Sequence, residues 1–382
     1  MIQPAIYLDH AAASPLLPAA RAALIDALDL AGNPSSVHGH GRKLRDVVET
    51  ARDQVAVLAG AERKQVVFTA SATEAITQAI TGGAQVFAAS AIVVSAGEHT
   101  AVLKSAEATG LPVHVVGLLG DGRIDLDQLS ALLAQAEAAG ENLLVAVHRV
   151  NNETGVVQPI GHVNALVGPT RHTLFIDAAQ AFGKLPLDFA SSAPDMMAVG
   201  GHKIGAPAGV GALLVKSHAD EVRLIPGGGQ EQGRRGGTEP TALIAAFGAA
   251  AATFPELYSA ADAGNLVTRL EAGLRGLTPN VVVFGKERIG SISNFAVAGI
   301  TNATAMMGLD LQGLSVSSGS ACSSGKVGGS HVLAAMGVPP DLAGCALRVS
   351  FGWNSSTADV DALLAAFGTI LQRHRARQEQ AA

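Results

Sequence analysis

From about residue 60, short apolar runs alternate with amphipathic stretches. Residues 65–69, 91–95, 112–116, 143–148, 173–177, 196–200 and 210–215 read as strands, and 73–81, 100–109 and 126–138 carry helical periodicity. Strands alternating with helices predict an α/β fold with a largely parallel sheet covered by helices. After about residue 255 the texture changes. The pattern there predicts one long helix over 255–277, shorter strands at 281–284, 291–296, 314–317 and 347–351, and a last helix over 357–375. This second region reads as a smaller α+β domain. The expected division is a large domain at 16–255 and a small domain formed by 1–15 together with 256–382.

Composition narrows the class. The 382 residues are 48% hydrophobic and 15% charged, with 44 glycines, which suits a compact α/β enzyme with many tight turns. The net charge of −6 offers no basic field for nucleic acid. No apolar run reaches the ~20 residues of a spanning helix, so no membrane partner is expected. Residues 1–10 lack the basic-then-apolar order of a secretory signal. Cys322 and Cys345 are the two cysteines, too few for a disulfide framework, and the expected compartment is the cytoplasm.

The polar residues collect at predicted strand ends, where ligands bind in open α/β sheets. Lys203 follows Gly200-Gly201-His202 at one such end. A lysine there can form a Schiff base with an aldehyde, although most lysines are simply solvated. Asp177 ends an apolar strand, where it serves either to pair with a protonated pyridine nitrogen or to cap a helix. Ala72-Thr73 opens a helix after a strand, as a phosphate cradle or a plain cap. His99 follows another strand and reads as a stacking or acid/base imidazole, or as a structural one. Together the four point to pyridoxal phosphate as cofactor, and no metal is expected.

The order of these motifs resembles the cysteine desulfurases of the NifS/IscS type, within the class V aminotransferase group of pyridoxal-phosphate fold type I enzymes. The matching stretches run almost end to end: Tyr7 to Ala12, Gly32 to His38, Ala72-Thr73-Glu74, Glu98-His99, Val150 to Gly155, Asp177 to Gln180, Gly201-His202-Lys203, Gly227 to Glu231, Arg235 to Thr238, and Ser317 to Cys322. The resemblance implies a large domain with a mostly parallel seven-stranded sheet plus the smaller α+β domain. It implies that Lys203 holds the cofactor, that His99 stacks on the ring and moves protons, and that Asp177 meets the pyridine nitrogen. Gln180 would bond the phenolic oxygen and Asn152 would contact cofactor or substrate. Ala72, Thr73, Gly200, Gly201 and His202 would hold the phosphate, and Thr238 would reach in from a second copy, making a homodimer. Arg348 would clamp the substrate carboxylate. Gly200 stands where the family usually has serine, and Ser71 where glycine is usual; Ser71 offers a replacement hydroxyl.

Cys322 separates sulfur transfer from transamination. It lies in a Ser/Gly run without apolar neighbours, the setting of an exposed loop, whereas Cys345 sits among apolar residues as a small hydrophobe. Within the family, Ser317-Ser318-Gly319-Ser320-Ala321-Cys322 marks the sulfur-accepting nucleophile. The implied reaction takes L-cysteine to L-alanine, leaves a persulfide on Cys322, and passes the sulfur to an acceptor protein, such as an iron–sulfur scaffold. His99 is the expected proton acceptor from the substrate thiol. A related lyase acting on selenocysteine or cysteine sulfinate is the alternative, since neither chemistry requires Cys322.

Overall fold

The computed structural model describes residues 5–319 and 329–381. Twelve strands are present among them: β1 (Ile6–Tyr7), β2 (Val66–Thr69), β3 (Ala91–Ser95), β4 (Val113–Val116), β5 (Leu143–His148), β6 (Thr173–Asp177), β7 (Met196–Gly200), β8 (Gly211–Val215), β9 (Val281–Val283), β10 (Ile292–Val297), β11 (Leu314–Ser315) and β12 (Ala346–Ser350). Seven make one sheet in the order β2-β8-β7-β6-β5-β3-β4. Neighbours from β7 through β4 pair in parallel, and β8 alone runs against β7 and β2. The expected mostly parallel seven-stranded sheet is therefore present.

Its strands are apolar on both faces because helices cover both. Val93, Val145, Ile176 and Val199 pack on one side against the helices Gly39–Ala59 and Thr241–Leu257. Ile92, Leu144, Phe175 and Leu213 pack on the other, with Ile76 and Ile80 and with Val102 of Thr100–Ala108. A second core, around Leu270, Phe295, Leu347 and Phe367, joins β12-β10-β9 to the helices Ala260–Leu277 and Thr357–Ala381. β1 pairs with β11 in parallel, which ties the start of the chain to this region.

The helix expected over 255–277 is two helices. Thr241–Leu257 ends at Tyr258, whose backbone is extended, and Ser259 caps Ala260–Leu277 by accepting from Asp262 N. The two axes meet at 65°. Proline at position 255 is tolerated in the last turn of the first helix, and the break falls three residues later. No single helix among the described residues is long and apolar enough to cross a membrane.

The helix expected over 73–81 starts at Ala72 and widens into a π-turn at Gln78–Gly82 before finishing at Val86. Thr77 and Thr81 hydroxyls bond back to the carbonyls of Thr73 and Thr77, a habit that loosens the regular ladder. The start of this helix lies against β8. A Cβ at Gly211 would come within 2.7 Å of Ser71 C and 2.8 Å of Ala72 N, so only glycine permits the approach.

Candidate active site

The carboxyl ends of β2, β3, β5, β6 and β7 open on a cavity of about 320 Å³. The strand-end loops bring Ala72 and Thr73, His99, His148 and Asn152, Asp177 and Gln180, and His202 and Lys203 to its wall. Arg348 reaches the cavity from β12, and Ala11 and Ala12 from the segment after β1. Nine residues singled out from sequence thus share one pocket. Gly200 ends β7 and Gly201 opens the turn that carries Lys203, and neither lines the cavity.

Each side chain has a local cause for its position. Ser71 caps the Ala72 helix by accepting from Glu74 N at 3.1 Å, so its oxygen is engaged with the helix backbone. A Cβ at Gly200 would stand 3.2 Å from Ala72 Cβ and 3.3 Å from His202 Cε1, so the smaller residue keeps this corner open. His99 caps the next helix: its Nδ1 accepts from Ala101 N at 3.1 Å. A neutral His99 therefore carries its proton on Nε2 and presents a donor.

Asp177 is buried, and burial pushes its carboxyl upward while the bond from Ala179 N to Oδ1 opposes the shift. Gln180 donates to Ala11 O at 2.6 Å and accepts from the buried Lys184 at 3.1 Å. A lysine can only donate, so it fixes which end of the Gln180 amide is oxygen. Lys203 Nζ donates to Ala11 O at 2.6 Å and Ala12 O at 2.8 Å. His202 is held near neutral: burial and the neighbouring Lys203 lower its pKa to about 4.

Arg348 is 3% exposed. It donates to Asn152 O and to Asp9 Oδ1, each at 2.7 Å, while Nε has no partner among the described residues. An edge of a buried guanidinium without an acceptor suits an anionic ligand. Asp9, Ala11 and Ala12 belong to the Tyr7-to-Ala12 stretch, whose match to the family was legible but whose roles were not. Lys184 and His148 were not singled out; nothing in local sequence marks a lysine or histidine as buried beside a site.

Two expected residues stand apart. Thr238 is exposed, next to the glycine-rich turn at 227–237, and lines no part of this pocket. Cys322 lies outside the described residues. Among the described residues nearby, Ser330 Oγ donates to the Glu153 carboxylate, and a Cβ at Gly319 would lie 3.4 Å from the same oxygen.

With this geometry in hand, the comparisons are specific. The aminotransferase class-V family matches residues 6–363. A cysteine desulfurase from Trichormus azollae is 37% identical, over 97% of this chain and 94% of its own. A NifS-like protein from Rickettsia africae superposes with a TM-score of 0.87 at 29% identity, covering 96% of this chain and 99% of that one. A structure of SspA in complex with cysteine matches with a TM-score of 0.78 at 29% identity, over 92% and 100% of the two chains. The chain belongs to the class-V aminotransferase family and, within it, to the cysteine desulfurases of the NifS type.

Proposed function

We propose that the cavity holds pyridoxal phosphate and L-cysteine, and that the enzyme moves the cysteine sulfur onto Cys322 and releases L-alanine. The observation that carries this reading is the meeting of Lys203, Asp177, His99 and Arg348, four groups from four strands, on one cavity. The residues fit the cofactor. The Ala72 helix start, pressed close by Gly211, offers N–H groups to a phosphate, and the bare Gly200 leaves room for it. Asp177 offers a buried carboxylate for a ring nitrogen, and Gln180, which gives one amide hydrogen to Ala11 O, has a second for a phenolic oxygen.

When bound, the cofactor supplies an aldehyde for the substrate amine and a ring that accepts electron density. Lys203 Nζ, kept in place by the carbonyls of Ala11 and Ala12, moves the proton of the substrate α-carbon. His99, with Nδ1 engaged in the helix cap, offers its Nε2–H to the cavity as a hydrogen-bond donor. Arg348 takes the substrate carboxylate, with Asp9 and Asn152 O holding its guanidinium in place. Cys322 takes the sulfur. The exposed Thr238 supports a homodimer in which it completes the pocket of the second copy, and a sulfur-acceptor protein completes the reaction. Residues 16–255 form the cofactor-binding domain in this reading, and 1–15 with 256–382 the domain carrying Cys322; the separate core around Phe295 and Phe367 supports that division.

Cys322→Ala tests the assignment. The purified variant should keep its cofactor absorbance and form no protein persulfide when given cysteine. Wild-type levels of sulfur transfer from that variant would sink it.

A further inference from the structure

Behind Asp177 stands a buried polar chain that the reaction just described does not use. His148 ends β5, in register with Asp177 at the end of β6, and both line the cavity. Glu98, fully buried on the loop after β3, accepts at Oε1 from His148 N at 2.9 Å and lies 2.7 Å from His148 Nδ1. Its Oε2 has no partner among the described residues. On the far side of the imidazole, Gln158 Nε2 lies 3.1 Å from His148 Nε2. Gln158 cannot turn its amide over, because Nε2 also donates to Gly122 O at 2.9 Å and Oε1 accepts from Ile124 N at 2.8 Å. A flip would set donor against donor and acceptor against acceptor.

These contacts decide the charge of the imidazole. Gln158 aims an N–H at Nε2, so that nitrogen must be the acceptor and Nδ1 the donor to Glu98. Attraction to the Glu98 carboxylate draws the His148 pKa upward against its burial. A doubly protonated ring would nevertheless face the Gln158 N–H with a second N–H, inside a fully buried site. The charged groups that act on it are Glu98 and Asp177, and His99 acts in turn on Asp177. If His148 were a cation, it would cancel Glu98. Held neutral, it leaves one uncompensated carboxylate behind Asp177.

We propose that Glu98, His148 and Gln158 are positioning residues that keep a fixed negative charge behind Asp177 and so raise the hold of Asp177 on a protonated ring nitrogen. Two like charges in a low-dielectric interior raise the proton affinity of whatever lies between or beside them. Burial pushes the Asp177 carboxyl upward, and Glu98 adds to that shift. The proposal rests on reading the cavity as a pyridoxal-phosphate site.

The test uses the full-length protein freed of cofactor, titrated with pyridoxal phosphate and with its analogue carrying carbon in place of the ring nitrogen. Glu98→Gln should bind pyridoxal phosphate about tenfold more weakly, the factor that one unit of proton affinity is worth. Its affinity for the ring-carbon analogue should equal that of the wild type. His148→Phe keeps the ring shape, removes both nitrogens, and should show the same split. It also guards against an effect of Glu98 on the adjacent His99. In ¹⁵N spectra of histidine-labelled protein, His148 should stay the neutral Nδ1–H tautomer from pH 6 to 8. Equal losses for both ligands, or a His148 cation in that range, would overturn the inference. A wild-type protein that binds neither ligand would instead remove the cofactor reading beneath it.

Discussion

Asp9 and Arg348 show how much a single pairing can set. The guanidinium is buried, and its two outer nitrogens are committed to Asp9 and to the Asn152 carbonyl, which fixes its orientation at the cavity wall. A hydrogen bond to a charged group contributes about 1.5–3 kcal/mol, and losing it also frees the side chain to rotate. Asp9→Asn should therefore raise the KM for cysteine roughly tenfold or more while cofactor content and kcat change little. Steady-state kinetics beside absorbance of the bound cofactor checks this. A fall in kcat with constant KM would mean that Asp9 acts on the chemistry and not on carboxylate binding. Lys184 is a parallel case. Burial and the nearby Lys203 and Arg348 lower its pKa to about 7, yet it still fixes the Gln180 amide.

At the scale of elements, the turn at 227–237 and its neighbour Thr238 depend on one buried ion pair. Glu231 and Gln232 have φ of 49° and 59°, a strained region for residues with side chains. The strain is tolerated because Glu231 receives both outer nitrogens of Arg52, at 2.7 and 2.8 Å, and Phe68 N at 2.8 Å. Arg52 in turn belongs to the helix Gly39–Ala59, and Arg235 ties the far side of the turn to Glu74. Arg52→Ala leaves a buried carboxylate without its cation, which costs about 3–5 kcal/mol. Chemical denaturation should register that loss. Glu231→Gln, which keeps the shape and removes the charge, should differ from it by non-additivity in the double variant.

Across the whole molecule, acid stability follows from two imidazoles, the buried His10 and the partly buried His202. His10 and His202 each have a pKa lowered to about 4, mainly by burial and then by the nearby Lys184 and Lys203 respectively. An unfolded chain binds these two protons below its ordinary histidine value near 6.5, whereas the folded chain does not until about pH 4. Stability is therefore lost as pH falls from 6.5 toward 4, by up to about 3 kcal/mol for each group. His10→Gln should flatten the fall in thermal midpoint between pH 7 and 4.5, because it removes one of the two proton sites. A wild-type midpoint that does not change over that range contradicts the assignment.

What the sequence determined by itself is local in kind. Periods of two and of 3.6 residues marked the strands, and the residue following each strand marked where chemistry gathers, so Thr73, His99, Asp177 and Lys203 were legible one at a time. The amphipathic helix Gly39–Ala59 carries the same signal, with Leu44, Val48, Ala51 and Val55 buried, and lies before the stretch where strand–helix alternation begins. The break after Leu257 was not legible, because an apolar pattern continues across it while the cap at Ser259 interrupts the backbone. The tertiary structure decided which groups meet. Arg348 reaches Asp9 across 339 positions, Gln180 reaches Ala11 across 169, and His148 reaches Glu98 across 50. Those meetings depend on strand order and on which side chains lose water together, and neither is written in the spacing of neighbouring residues.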